Sequence, residues 1–397
     1  MATLLLIIIY LVFISLGLPD SLIGAAWPVM REDLGAPLGM AGVLSTTVTI
    51  GTIISALSTS RVVRRIGTAR TTLISVALTA GALLGFSIAP SFIWLMLFAV
   101  PLGLGGGAID SALNHYIAGH YAARHMSWLH CFWGVGVTVS PIIMSGYLDE
   151  GAWRSGYLTV GLIQSGIAVI LILSLPIWGK MEEKRNGGGQ AQAADDPSGR
   201  RDGKPKNAAG IKYALATFLF YCGVEMTAGL WGSSYLVNAK GLSADEAAKW
   251  ISIYFLGITI GRFVSGLVTF KFSSKALIRA GEIIALTGTL LLLLPLPVEF
   301  TTAGFLITGL GLAPIFPSML HETPARFGDA HAGKIIGWQM ATAYTGIAVL
   351  PPLFGWLAGQ ITIELFPWYL ALMAAIMLLA TERLNALLAR RSGHAAD

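Results

Sequence analysis

Pro101-Leu-Gly-Leu-Gly-Gly (residues 101–106) recurs 206 positions later as Ile307-Thr-Gly-Leu-Gly-Leu (residues 307–312), each inside a long apolar run. The same offset carries Arg65, after the second run, onto Lys271, after the eighth. A similar offset carries Asp20 in the first run onto Glu225 or Met226 in the seventh. Self-similarity at about half the chain length predicts two like bundles. In apolar sequence it is the mark of a carrier whose halves rock about a central site.

The 397 residues are 55% apolar and 12% charged, with a mean hydropathy of +0.70. Soluble chains carry about 25% charged residues, so half the usual surface charge is missing. Apolar windows of about twenty residues, the length that crosses a bilayer as a helix, fall near 3–30, 38–60, 69–89, 91–119, 126–148 and 154–179. After a polar gap come 209–237, 246–270, 276–297, 300–320, 333–359 and 364–388. The expected fold is all-α: a polytopic membrane protein of twelve transmembrane helices, in two six-helix bundles related by pseudo-twofold symmetry. The run from Met1 to Tyr10 has no basic segment and no small-residue cleavage site, so it reads as part of the first span, not as a signal peptide. Cys131 and Cys222 lie far apart in apolar runs and make neither a disulfide framework nor a CxxC metal site.

Charge sets the orientation. With alternate loops on opposite sides, twenty-one Lys and Arg residues share a side with both termini. Four, Arg31, Arg154, Lys240 and Lys249, fall on the other side, and Arg262 lies within a span. Such a bias places both termini in the cytoplasm and makes a bacterial-type inner (plasma) membrane the expected location. The net charge of +5 then reports topology and contact with anionic lipid, not a nucleic-acid partner. Lys180 to Lys212 is the one long hydrophilic stretch, containing Asn186-Gly-Gly-Gly and Asp195-Asp-Pro-Ser-Gly without apolar periodicity. It divides the chain into a first bundle over 1–180, a flexible cytoplasmic linker over 181–208 and a second bundle over 209–397.

An ionisable side chain at the bilayer centre costs about 2.5–3.5 kcal/mol on insertion scales, so each one needs a reason. Asp20, Asp110, Glu225 and Arg262 stand deep in apolar sequence, whereas Glu282, near the end of the ninth span, is expected to reach water. Asp20 follows Pro19, which removes a backbone donor, and Gly17 and Gly24 loosen the helix, so a bend or break is expected there. Freed carbonyls beside a carboxylate suit a proton, a cation or a sugar hydroxyl. Asp110 and Asn114 are one turn apart and share a face, while His115 belongs to another. Glu225 lies in a glycine-interrupted span like the first, where it can accept from Tyr221 or pair with Arg262. Arg262 is expected toward the cytoplasmic half, as a gating or packing charge.

His130, beside Trp133, is either a partner for a substrate hydroxyl or a satisfied interior histidine. Gln339, near Thr342 and Tyr344, is the corresponding polar group of the second half. His115, His120, His125 and His130 recur every five residues and fan round a helix, so no metal site is expected. Walker A, HExxH and GxSxG patterns are absent, as is GxGxxG between a strand and a helix. No enzymatic activity and no cofactor are expected. A carrier without a nucleotide site is driven by an ion gradient, here of protons or, alternatively, of sodium.

These features resemble the major facilitator superfamily over the whole chain: six plus six helices, a long central loop and a basic loop between spans two and three. That loop, Ser60-Arg-Val-Val-Arg-Arg-Ile-Gly-Thr-Ala-Arg, is similar to the superfamily's cytoplasmic gating motif, with Ser60 and Arg64 where a glycine and an aspartate are usual. The likeness implies gating roles for Arg65, Gly67 and Arg70. Ala108-Ile-Asp-Ser-Ala-Leu-Asn-His-Tyr-Ile, Leu129-His-Cys-Phe-Trp-Gly-Val-Gly and Gly223-Val-Glu-Met-Thr-Ala-Gly-Leu-Trp resemble spans four, five and seven of the fucose–proton symporter branch, which includes glucose transporters. His115 stands where that branch often has proline. The resemblance implies proton transfer at Asp110, contact of Asp20 with both proton and substrate, and a sugar site in or near Asn114, His130 and Glu225. With Gln339 completing the substrate site, the expected function is proton-coupled symport of a small polar solute, first a monosaccharide, by a monomer that alternates access. A proton-driven drug exporter and a sodium-coupled sugar symporter are the alternatives, and a non-transporting sensor is the rival from another class.

Overall fold

Pro19 has no N–H, so the carbonyl of Ser15, one turn earlier, loses its helical donor. In the computed structural model the Gln164 side chain takes that donor's place: Nε2 donates to Ser15 O (2.5 Å), and Ser15 Oγ donates to Gln164 Oε1 (2.7 Å). The first span breaks here, as expected, into α1 (Ala2–Asp20) and α2 (Leu22–Asp33). Two further proline-freed carbonyls are treated alike. Val137 O, freed by Pro141, accepts from Ser21 Oγ (2.9 Å), and Ala348 O, freed by Pro352, accepts from Thr46 Oγ1 (3.2 Å). Within a bilayer no water is at hand for this task, so neighbouring helices supply the donors.

The structure describes residues 2–121, 123–186, 207–269 and 271–393. The first bundle continues with α3 (Met40–Ile66), α4 (Thr68–Ser87), α5 (Phe92–His120), α6 (Ala123–Leu148) and α7 (Trp153–Asn186). The second holds α8 (Ala208–Lys240), α9 (Ala244–Val268), α10 (Ser274–Leu291), α11 (Val298–Leu312), α12 (Ile315–Phe327), α13 (Asp329–Gln360) and α14 (Phe366–Gly393). Among the described residues there is no strand, and eleven spans are long and apolar enough to cross a membrane. The twelfth place is filled by α10, whose 18 residues include Lys275, Arg279 and Glu282, packed on α11, α12 and α14.

Three expectations need correction. The tenth span continues beyond residue 320 to Phe327 and breaks at Ala313-Pro314, between α11 and α12. The seventh span, α8, is unbroken, because its glycines make room for neighbours: Gly223 for Leu350, Gly229 for Phe255, Gly232 for Ile251. Residues 181–186, assigned to the linker, extend α7. The linker's residues 187–206 lie outside the described residues.

The internal repeat holds at the level of single contacts. A Cβ on Gly103 would overlap the Val48 carbonyl, and one on Gly309 would overlap that of Tyr254, 206 residues on. A Cβ on Gly105 would lie 2.6 Å from Ser75 O, and one on Gly311 would lie 2.6 Å from Gly281 O, again 206 apart. Each bundle therefore packs its fourth helix into its second and third through the same glycines.

The bundles close on each other at the end away from the termini. There Gly24 abuts the Gly229 backbone, a Cβ on Gly42 would sit 2.7 Å from Pro352 Cα, and Arg31 Nη2 donates to Asn238 Oδ1 (3.3 Å). Trp231, fully buried, donates from Nε1 to Pro351 O (2.8 Å) at the same end. Overpacking a tight helix contact costs about 1–3 kcal/mol or more. Gly103→Val and Gly309→Val are each expected to lower the thermal unfolding midpoint in detergent by similar amounts. Gly81→Ala, which meets nothing within 4 Å, is expected to leave it unchanged.

Candidate functional site

The break in the first span leaves Asp20 at the C-terminus of α1, about halfway along the span Thr3–Asp33. Its side chain is exposed although protein surrounds it at that depth. It therefore lines an interior cavity that water can enter. Oδ2 accepts a hydrogen bond from Trp133 Nε1 of α6 at 2.8 Å. The face of the same indole carries the Arg262 guanidinium of α9, with Cζ 4.6 Å from the ring centroid. Arg262 Nη2 in turn pairs with Glu225 Oε1 of α8 at 3.1 Å, the two side chains being 17% and 12% exposed. Tyr254 OH donates to the Glu225 backbone carbonyl (2.9 Å) and steadies that end. Four side chains, two from each bundle, thus run as one chain across the seam.

A second acid stands beside this chain. Asn114 Nδ2 donates to Asp110 Oδ1 at 2.8 Å, one turn apart on α5 as their spacing requires. Asp110 is close enough to Asp20, and to Tyr344 of α13 in the other bundle, for its charge to be felt by both. Asn114 Oδ1 is buried without a hydrogen-bond partner among the described residues. His130 lies edge-on to Phe13, ring centroids 6.0 Å apart, and faces the Arg262 charge. Glu225 is matched by Arg262, whereas neither Asp20 nor Asp110 forms an ion pair among the described residues. Because the bundles are shut at the far end, this cavity opens toward the end that carries the termini.

Asp20, Asp110, Asn114, His130, Glu225 and Arg262 are thus brought to one place. Gln339 is not among them. It is 1% exposed and accepts from Thr323 Oγ1 (2.9 Å), on the α13 face that packs into its own bundle. Arg65 and Arg70 are exposed at the α3–α4 junction, away from the cavity, and pair with no acid among the described residues. Gly67 between them has φ of 82°, a conformation that favours glycine. Glu282, expected to reach water, is fully buried and accepts from Thr381 Oγ1 at 2.6 Å. The reason is that α12 and α14 continue past it and wall it in. Trp133 and Gln164 are the contributors that sequence reasoning missed, since each acts across more than a hundred residues.

Residues 9–208 and 213–395 match the Major Facilitator Superfamily. The chain belongs to that superfamily. Its members are transporters of small molecules and not enzymes, which agrees with the missing catalytic motifs. Bypass of stop codon protein 6 of Saccharomyces cerevisiae is 25% identical over 93% of this chain and 80% of its own length. The uncharacterized transporter y4wD of Sinorhizobium fredii is 23% identical over 85% and 86%. Among solved structures, a D-xylose–proton symporter superposes with a TM-score of 0.71 at 14% identity, covering 96% of each chain. A POT family transporter in complex with a thioalcohol-conjugated peptide reaches 0.74 at 11% identity, covering 97% of this chain and 96% of its own. At such identities these structures share the fold of this superfamily member and nothing finer.

Removing one partner of a poorly exposed ion pair leaves an uncompensated charge, at a cost of about 3–5 kcal/mol, whereas removing both costs far less. Arg262→Gln is therefore expected to lower the unfolding midpoint of the transporter markedly. The double variant Glu225→Gln with Arg262→Gln is expected to recover part of the loss, as read by thermal unfolding in detergent.

Proposed function

We propose that this transporter carries a small polar solute, first a monosaccharide, into the cell together with a proton, by alternating access. The observation that carries the reading is the pair Asp20 and Asp110, two acids without cationic partners among the described residues, beside one cavity that is closed at one end. A carboxylate without a counter-charge is costly away from bulk water, and a proton removes that cost. One proton on this pair removes one of its two charges and leaves a neutral carboxyl as donor and acceptor, with Asn114, His130 and the Glu225 carboxylate at hand to hold substrate hydroxyls. Once the cavity opens to the other side, loss of the proton restores the charge and sets the carrier back.

Orientation follows from the charge bias: the open end is cytoplasmic, so this form faces inward. The resemblance of the stretches around Asp110, His130 and Glu225 to the fucose–proton symporter branch makes a sugar the first solute to try. Coupling requires that the fully loaded carrier, or the empty one, cross between states more readily than a half-loaded one. An unpaired carboxylate bars one half-loaded form, substrate without proton, because a charge sealed beneath bound substrate away from water is penalised.

The test is uptake of labelled monosaccharides into proteoliposomes under an inward proton gradient, with a sodium gradient in parallel. Proton-driven accumulation of one sugar is the expected result, and sodium-driven accumulation would replace the ion. Asp110→Asn is expected to abolish uphill uptake while retaining exchange of labelled for unlabelled substrate. An Asp110→Asn transporter that still concentrates substrate removes Asp110 from the proton path.

A further inference from the structure

Trp133 touches both bundles with different parts of one rigid ring. Its N–H, in the ring plane, donates to Asp20 of α1, while its π face holds Arg262 of α9. Plane and face are perpendicular, so fixing the hydrogen bond fixes where the face points. The backbone on either side is clamped. A Cβ on Gly136 would overlap the Ile14 carbonyl of α1, and one on Gly134 would collide with the Thr259 side chain of α9. The indole is therefore the adjustable part of a tightly held seam.

Other indoles in the chain behave differently. Trp27 donates to the Leu38 carbonyl (2.9 Å) and Trp231 to that of Pro351, both neutral backbone acceptors. Trp153 donates to Asp33, which already has Arg154 as its counter-ion at 2.6 Å. Trp133 donates to a carboxylate that has no counter-ion among the described residues and is open to the cavity.

We infer that Trp133 is a positioning residue that transmits the ionisation state of Asp20 to the Glu225–Arg262 pair in the opposite bundle. This rests on the proton-coupled reading of Asp20. With Asp20 ionised, the N–H bond is charge-assisted and holds the ring under Arg262, which strengthens the seam. With Asp20 protonated, that assistance is gone, the ring is released, and Arg262 keeps only Glu225. The other ionisable groups facing the relay are Asp110 from α5, His130 and Cys131 from α6, Tyr221 and Cys222 from α8, and Tyr254 from α9.

The experiment reads the seam without needing a substrate. Nitroxide labels at positions 61 and 334, near the termini-side ends of α3 and α13, report bundle separation in lipid nanodiscs. The full-length chain is used, with Cys131 and Cys222 replaced by serine. The distance distribution is expected to shift between acid and alkaline pH. Trp133→Phe keeps the ring face and loses the donor, so it is expected to lose that shift. In proteoliposomes it is expected to lower the accumulation ratio about tenfold, the scale of coupling between linked sites. Asp20→Asn is expected to hold the distribution at its acid position, and it serves as the test if Trp133→Phe does not fold. A Trp133→Phe transporter that shifts like its parent overturns the inference, and so does a parent that does not respond to pH. If the shift depends on Trp133 but no solute in the panel accumulates, the relay stands and the sugar reading falls.

Discussion

A polar group with no water within reach must find its partner inside the protein, and in this molecule that requirement does most of the organising. Pro19 creates the first such debt by leaving the Ser15 carbonyl without a donor. Gln164 of α7 settles it, and because the settlement is a side chain, the helix no longer needs to run straight. The break that follows puts Asp20 halfway along the first span, where its carboxylate faces both the cavity and the indole of α6. Remove the proline or the glutamine, and the acid has no reason to point where it does.

The frame is symmetric and the chemistry is not. Glycines 206 residues apart set the same close approach in both bundles, so the helices of the two halves stand in equivalent places. The side chains aimed at the centre differ. The first bundle presents two acids and an indole, while the second presents an arginine with its own acid. The position equivalent to Trp133 is Gln339, which is bound to Thr323 within its own bundle. A repeat gives two halves that can move against each other, and its divergence gives them something to exchange.

Much of the fold was legible in the sequence because span length, charge bias and repeat are properties of segments. The count of twelve places, the break at Pro19 and the one-turn pairing of Asp110 with Asn114 all follow from local spacing. The Glu225–Arg262 pair was one of two readings that the local sequence allowed, and only the packing of α8 on α9 selects it. Trp133 and Gln164 leave no local trace, since their partners lie 113 and 149 residues away. Glu282 was misplaced because position along a helix tells depth but not how far the neighbouring helices extend. The break at Ala313-Pro314 had a signal in its proline, but the apolar run on both sides hid it.

The hydrogen bond from Thr46 to the Ala348 carbonyl joins the bundles at their closed end, and Pro352 has already deprived that carbonyl of a helical donor. When the seam parts, α13 has no bond of its own to lose there, and the acceptor passes from a threonine to incoming water. The fastening is thus interchangeable: protein and solvent can occupy the same lone pair in turn, each at comparable strength. A contact made this way sets the register of the two helices without weighting the balance between the two faces, which is what a carrier that must open on both sides needs.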